Sequence, residues 1–183
     1  MKNLSTLIIL SLIFISCNSS NQNQASNPNE PSVIGSGTLD NGKKIQIVAG
    51  NTNNEQVWID YIKAHNERDL DKIAEINADD WEGYTADGSV VKGSDAHIEI
   101  LDNWFKTASP KWEIKWMIAN AAENEDGVIV QWLTTGNDYT DTDENGKEIF
   151  EHNIHDIQFI NGKIKRINVY SRAKAQDSAE FSY

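Results

Sequence analysis

The stretch Glu55–Gly88, EQVWIDYIKAHNERDLDKIAEINADDWEGYTADG, decides how the rest of the chain is read. Trp58, Tyr61, Ile62 and His65 fall at i, i+3, i+4 and i+7, so they share one face of a helix running from about Glu55 to Glu67. A stripe that served only as core would be apolar throughout; this one carries a phenol and an imidazole. Asp69 is placed to cap a second helix, Leu70 to Asn77, whose Leu70, Ile73, Ala74 and Asn77 lie on a common face. Trp81 to Thr85 then alternates as a short strand, Asp87-Gly88 supplies a turn, and Val90-Val91-Lys92 returns beside it.

Working outward toward the C-terminus, Gly93 breaks the chain and Ser94 is read as the cap of a third helix. Ile98, Leu101 and Phe105, with Ile100 and Trp104, give that helix a wide apolar stripe, and Ser109-Pro110 ends it. Four long strands follow. In the first, Lys111 to Ala119, alternation puts Trp112, Ile114, Trp116 and Ile118 on one side; Val128, Val130, Trp132 and Thr134 do the same in the second. Ile149 to Ile160 and Lys163 to Arg172 complete the set, with turns at Glu125-Asp126-Gly127, Asn145-Gly146 and Asn161-Gly162. Short turns make these strands an antiparallel meander, and helices that precede it must pack on one of its faces, which defines an α+β class.

In the other direction, Lys44 to Val48 and Gly37-Thr38-Leu39 flank Asp40-Asn41-Gly42, a hairpin turn signal. This leading hairpin, 37–50, covers a sheet edge or extends the sheet. Residues 17–36 are rich in Asn, Ser, Gln and Pro, hold too little apolar surface to repay ordering over most of their length, and read as a flexible tether. Before them, Lys2, the apolar run Leu4 to Ile15 and the pair Ser16-Cys17 are similar to a bacterial lipoprotein signal peptide with the box Phe14-Ile15-Ser16-Cys17. The resemblance implies removal of residues 1–16 and acylation of Cys17; the alternative is a cleaved secretory signal with an incidental cysteine. The run is too short to span a bilayer comfortably. Anchoring through lipid on Cys17 places the protein in the bacterial cell envelope, periplasmic or surface-facing. The remaining divisions are a domain over 51–172 and a tail over 173–183.

The 183 residues, 39% hydrophobic with six Trp, suffice for one cored domain. A formal charge of -12, from 16 basic and 28 acidic residues, argues against a nucleic-acid partner, which phosphate repulsion would disfavour. A single cysteine excludes an internal disulfide. The run Asp141-Thr142-Asp143-Glu144-Asn145-Gly146 opens like a calcium loop, but its twelfth position is His152 where Glu is needed, so it reads as an acidic hairpin tip. No metal and no cofactor are expected.

The order helix, helix, short hairpin, helix, four strands, together with the texts DYIKAHNERDLDKIAEINADD and NGKIKRINVYS, resembles the nuclear transport factor 2-like (NTF2-like) superfamily, in its SnoaL-like and ketosteroid isomerase-like branch, over about residues 55 to 172. The implied fold is a cone: a curved antiparallel sheet wrapped round three N-terminal helices, closing on one apolar pocket. The resemblance matches Tyr61 to the tyrosine with which the isomerases bind an oxyanion and sets His155 where they carry a protonated carboxyl. Thr85 stands in their base position. Its hydroxyl cannot take a proton from carbon at neutral pH, so that isomerase chemistry is not expected. The cyclases of the group often have an aspartate after the last-strand tyrosine, whereas Tyr170 is followed here by Ser171-Arg172.

Parity on the implied fold lines the pocket with Trp58, Trp81, Gly83 and Thr85, with Val128, Val130, Trp132 and Thr134, and with His155, Ile157 and Phe159. His65 is assigned to the rim or solvent, His97 to the surface, and His152 to the far side of the sheet. Trp112 and Trp116 either line the pocket or form a homodimer face. The expected function is binding of a small, largely apolar molecule. The alternatives are an isomerase, cyclase or hydratase acting on a carbonyl substrate through Tyr61 and His155, and a structural or assembly domain.

Overall fold

A computed structural model describes residues 30–142 and 146–173. The expected signal sequence, Cys17, most of the expected tether, residues 174–183 of the expected tail, and Asp143, Glu144 and Asn145 of the acidic tip lie outside the described residues. Among those described, no helix is long and apolar enough to cross a membrane.

The elements run β1 (Val33–Thr38), β2 (Lys44–Ala49), α1 (Asn53–Glu67), α2 (Leu70–Ile76), β3 (Asn77–Tyr84), β4 (Val90–Lys92), α3 (Ser94–Phe105), β5 (Lys111–Glu123), β6 (Ile129–Thr142), β7 (Glu148–Ile160) and β8 (Lys163–Ala173). Local chemistry explains the helix boundaries. Arg68 ends α1 by taking a left-handed conformation (φ 61) and donating its N–H to the carbonyls of Ala64 and His65. Its guanidinium reaches the carbonyls of Phe105 and Ala108, both at 3.4 Å, which ties this non-glycine cap to the end of α3. Asp69 starts α2 by accepting the Lys72 N–H at 2.9 Å. At α3 the expectation needs correcting. Gly93, with φ 91, holds the cap position, and Ser94 is the first helical residue, its hydroxyl turned to Asn77.

The strands form one sheet in the order β1-β2-β5-β6-β7-β8-β3-β4. The leading hairpin extends this sheet, with β2 laid antiparallel on β5 from Ile47 opposite Ala122 to Ala49 opposite Asn120. Strands β5 to β8 form the antiparallel meander. The sheet as a whole is mixed, because β3 runs parallel to β8, with Gly83 beside Ile167. A parallel neighbour needs a long crossover, and α3 with β4 to β7 supplies one between these two strands.

A β-bulge in β5 corrects the expected faces. The register slips between Ile114 and Trp116, so one extra residue reverses the inside and outside of everything after it. Trp112 and Ile114 pack against the core, and beyond the slip Met117 and Ala119 take their place. Trp116 and Ile118 emerge on the outer face, 43% and 51% exposed. Gly136 of β6 lies opposite Trp116; a Cβ there would meet the indole Nε1 at 2.3 Å, so glycine gives the ring its bed. The same register sets Leu133 against Ala119 and Trp132 against Asn120. Leu133, Thr135 and Asn137 are therefore the buried, inward residues of β6, while Val130, Trp132 and Thr134 belong to the opposite face. Val128 precedes the strand and is exposed.

The core joins the inner faces of α1, α2 and α3 to the centre of the sheet through Trp58, Tyr61, Ile73, Leu101, Leu133, Ile157 and Ile164. Asn66 secures α1 to β5 by a two-point clamp: its amide donates to the Trp112 carbonyl and accepts the Trp112 N–H, both at 2.9 Å. Asn66→Ala removes both bonds and should cost about 2 to 3 kcal/mol, with Asn66→Asp losing roughly half as much. Urea unfolding measures this, and a cost for Asn66→Ala within about 0.5 kcal/mol of zero would show that the clamp does not hold the helix.

Candidate functional site

A cavity of about 400 Å³ opens between the helices and the inner face of the sheet. Helix α1 contributes Trp58, Tyr61 and His65; β3 contributes Trp81 and Gly83; α3 contributes His97, Leu101 and Trp104; Trp112 and Tyr139 add two more rings. From β7 come Glu151, Asn153 and His155, every second residue and hence one face, and from β8 Val169 and Ser171.

The buried polar groups are answered in a defined order. The Tyr61 hydroxyl donates to Asn77 Oδ1 at 3.0 Å, and the Asn77 amide donates to Ser94 Oγ and His97 Nδ1, both at 3.2 Å. His97 thus carries its proton on Nε2. His65 Nδ1 lies 2.8 Å from the Tyr61 carbonyl, which can only accept, so this imidazole is protonated on Nδ1. His155 Nδ1 receives the Asn137 amide at 2.9 Å, leaving the proton on Nε2. Burial holds all three imidazoles neutral, lowering His65 to about 4 and His97 and His155 to about 3. Burial also pushes the Tyr61 hydroxyl well above its ordinary range.

The rings are closely arranged. Trp58 contacts both Tyr61 (5.5 Å between centroids) and His155 (5.2 Å). Trp81 stacks on His97 at 4.0 Å with the planes 10° apart. Gly83 permits this pose, because a Cβ there would come 2.4 Å from Trp81 Cη2. Trp58 and Trp81 keep buried indole N–H groups for which the described residues offer no acceptor.

Of the residues expected at the site, Trp58, Tyr61, Trp81, Thr85 and His155 do line the cavity. Ile157 and Phe159 share the face of His155 but are packed into the core. Val130 and Trp132 do not reach the cavity, because β6 pairs with β7 so that Leu133 and Thr135, opposite Ile157 and His155, take the inward face and the alternate residues face away. Thr85 is exposed, with its hydroxyl bonded to Asp87 Oδ1 at 2.5 Å. His65 is buried, not at the rim, and His97 faces the cavity instead of the surface. His97 could have been placed from the sequence, since it lies four residues before Leu101 on the apolar stripe of α3.

Glu151 went unnoticed although it has the parity of His155. One of its oxygens, Oε2, accepts from the Ser171 hydroxyl and from the Asn153 amide at 3.3 Å. Nearby, the Tyr139 hydroxyl donates to Asp141 Oδ2 at 2.8 Å, and Asp141 Oδ1 takes the Ser109 N–H at the same distance. Among the described residues no group of three or more His, Cys, Asp or Glu is arranged to hold a metal ion.

A mixed sheet folded over three helices around an aromatic cavity defines a protein of the NTF2-like class, and solved structures bear out the likeness. An LEH-like epoxide hydrolase from M. tuberculosis superposes with a TM-score of 0.55 at 13% identity, over 66% of this chain and 84% of its own. An NTF2-like protein of unknown function from Burkholderia pseudomallei gives 0.55 at 18% identity, over 67% and 92%. SalBIII, an epoxide hydrolase/cyclase-like enzyme of pyran ring formation in salinomycin, gives 0.54 at 19% identity, over 66% and 92%. Within that class the chain belongs to the SnoaL-like domain family, whose sequence profile matches residues 58–167. No curated protein matches it in sequence.

The neutral imidazoles tie stability to pH. His65 and His155 are ordinary histidines near 6.5 when unfolded and titrate near 4 and 3 when folded, so acid protonates the unfolded chain first. Their contribution is complete above pH 6.5 and is lost as pH falls toward the folded values, at up to about 1.4 kcal/mol per pH unit for each. The melting temperature should fall from pH 6.5 to pH 4, and His155→Asn should make that fall shallower; an unchanged slope in the variant would contradict the assignment.

Proposed function

We propose that the chain is a lipid-anchored protein of the bacterial envelope whose SnoaL-like domain binds a small, largely apolar molecule in the cavity bounded by α1, β3, α3 and β7. The observation that carries this reading is the make-up of that cavity: about 400 Å³, mostly aromatic and aliphatic walls, and a few converging polar groups. The groups that chemistry would need are already engaged. Tyr61 gives its proton to Asn77, and Thr85 gives its own to Asp87.

A second reading, an isomerase, cyclase or hydratase acting on a carbonyl substrate, is favoured by one observation. His155 keeps Nε2–H as a donor at the cavity wall, on the same cavity as Tyr61. The LEH-like hydrolase and SalBIII are enzymes on a similar fold, but fold alone does not carry reaction.

Titration of the purified protein with a broad library of apolar compounds should change tryptophan fluorescence and raise the melting temperature for some of them. No response from the whole library would remove the binding reading. If a turnover assay is found, Tyr61→Phe and His155→Ala should each lower kcat under the enzymatic reading; unchanged rates would confine both residues to packing. For the anchor, Cys17→Ala should abolish labelling by radioactive palmitate and release the protein from the membrane fraction. Retention of label would disprove acylation at Cys17.

A further inference from the structure

Among the described residues lining the cavity, the charged side chains are of one sign. Glu151 stands there, and no Lys or Arg does. The three imidazoles are uncharged near neutral pH because they are buried. The Glu151 carboxylate is held in place from one side: the Ser171 hydroxyl and the Asn153 amide both donate to Oε2, so neither bond uses Oε1. Half-buried, Glu151 borders both the cavity and the adjoining outer groove, which sets it at the mouth. A second carboxylate, Asp141, lies behind Tyr139 at the same end. The inner walls are indole and phenol rings, whose faces attract cations.

An anionic occupant would meet the Glu151 carboxylate at the mouth, where Lys111 lines the adjoining groove but not the cavity itself, and would approach a domain of strongly acidic composition. A neutral occupant would partly desolvate Glu151 and add no charge to the bonds it already takes from Ser171 and Asn153. A positive occupant answers the carboxylate, and the aromatic walls add to its attraction. Resting on the binding reading above, we infer that the ligand is an organic cation: an amine or quaternary ammonium whose apolar body fills the aromatic interior and whose charged end sits at Glu151.

Three probes with one skeleton separate the charge from the apolar body: phenylbutylamine, phenylbutanol and phenylbutyrate, each titrated into the purified protein with tryptophan fluorescence as the readout. The amine should bind about tenfold more tightly than the alcohol, and the carboxylate most weakly. Glu151→Gln, which can still accept from Ser171 and Asn153, should erase the advantage of the amine while leaving the alcohol within about twofold of its original affinity. Its melting temperature should match that of the parent protein, so that loss of folding is not mistaken for loss of charge. Binding of the alcohol or carboxylate as tightly as the amine would overturn the cation assignment and leave the apolar-binding reading intact. An amine preference that persists in Glu151→Gln would overturn the role of Glu151. Silence from all three probes would count against the apolar reading as well, and this inference would fall with it.

Discussion

The side-chain amide of Asn77 joins the parts that make the cavity. Asn77 is 1% exposed, and its side chain answers Tyr61 on α1 and Ser94 and His97 on α3, while its backbone carbonyl accepts from Lys163 Nζ at the start of β8. Each of these partners is a polar group close to an aromatic wall, where a missing bond costs more than the bond contributes when present. One amide at the start of β3 therefore ties α1 and α3 together. It also settles which nitrogen of His97 carries the proton, and so what that imidazole can offer the cavity. An apolar residue at position 77 would fill the space but would orphan the Tyr61 hydroxyl.

Much of this architecture was legible in the residues because it rests on periodicities and turn chemistry. The α1 stripe from Trp58 to His65, the Asp69 cap and the Asn161-Gly162 turn are local devices with local signatures, and they define the order of elements. Two features were out of reach for a physical reason. A bulge at Lys115 changes neither composition nor alternation, yet it separates Trp112 from Trp116 onto the two faces of the sheet. The parallel pairing of β3 with β8 is a contact between segments separated by most of the domain, and nothing local in either strand encodes its direction. Glu151 was legible in principle, since it shares parity with His155, but an acidic residue at a strand end is commonly a solvated one.

The bulge also divides the labour of β5. Ahead of it Trp112 faces the cavity and contacts His65, Trp104 and Tyr139; beyond it Trp116 lies across Gly136 on the outer face. One strand thereby supplies an aromatic residue to each side of the sheet. Only through that slip does Trp116 join half-buried Ile154 and exposed Tyr170 on the outer face.

The departures from the isomerase pattern follow from the local surroundings. A base at position 85 would have to leave the turn that now fixes its side chain to Asp87, and a protonated carboxyl at position 155 would lose the reason for the Asn137 amide beside it. With an imidazole there, Asn137 fixes one tautomer and Trp58 packs against the ring, so the position offers a neutral donor without a buried charge. The charge of the site lies at Glu151, where Ser171 and Asn153 orient it and where its desolvation costs less than at the bottom of the cavity. A fold that elsewhere can place its ionisable groups deep has here been left with neutral hydrogen-bonding groups inside and its carboxylate at the mouth, an arrangement suited to selecting and holding a molecule more than to moving protons within it.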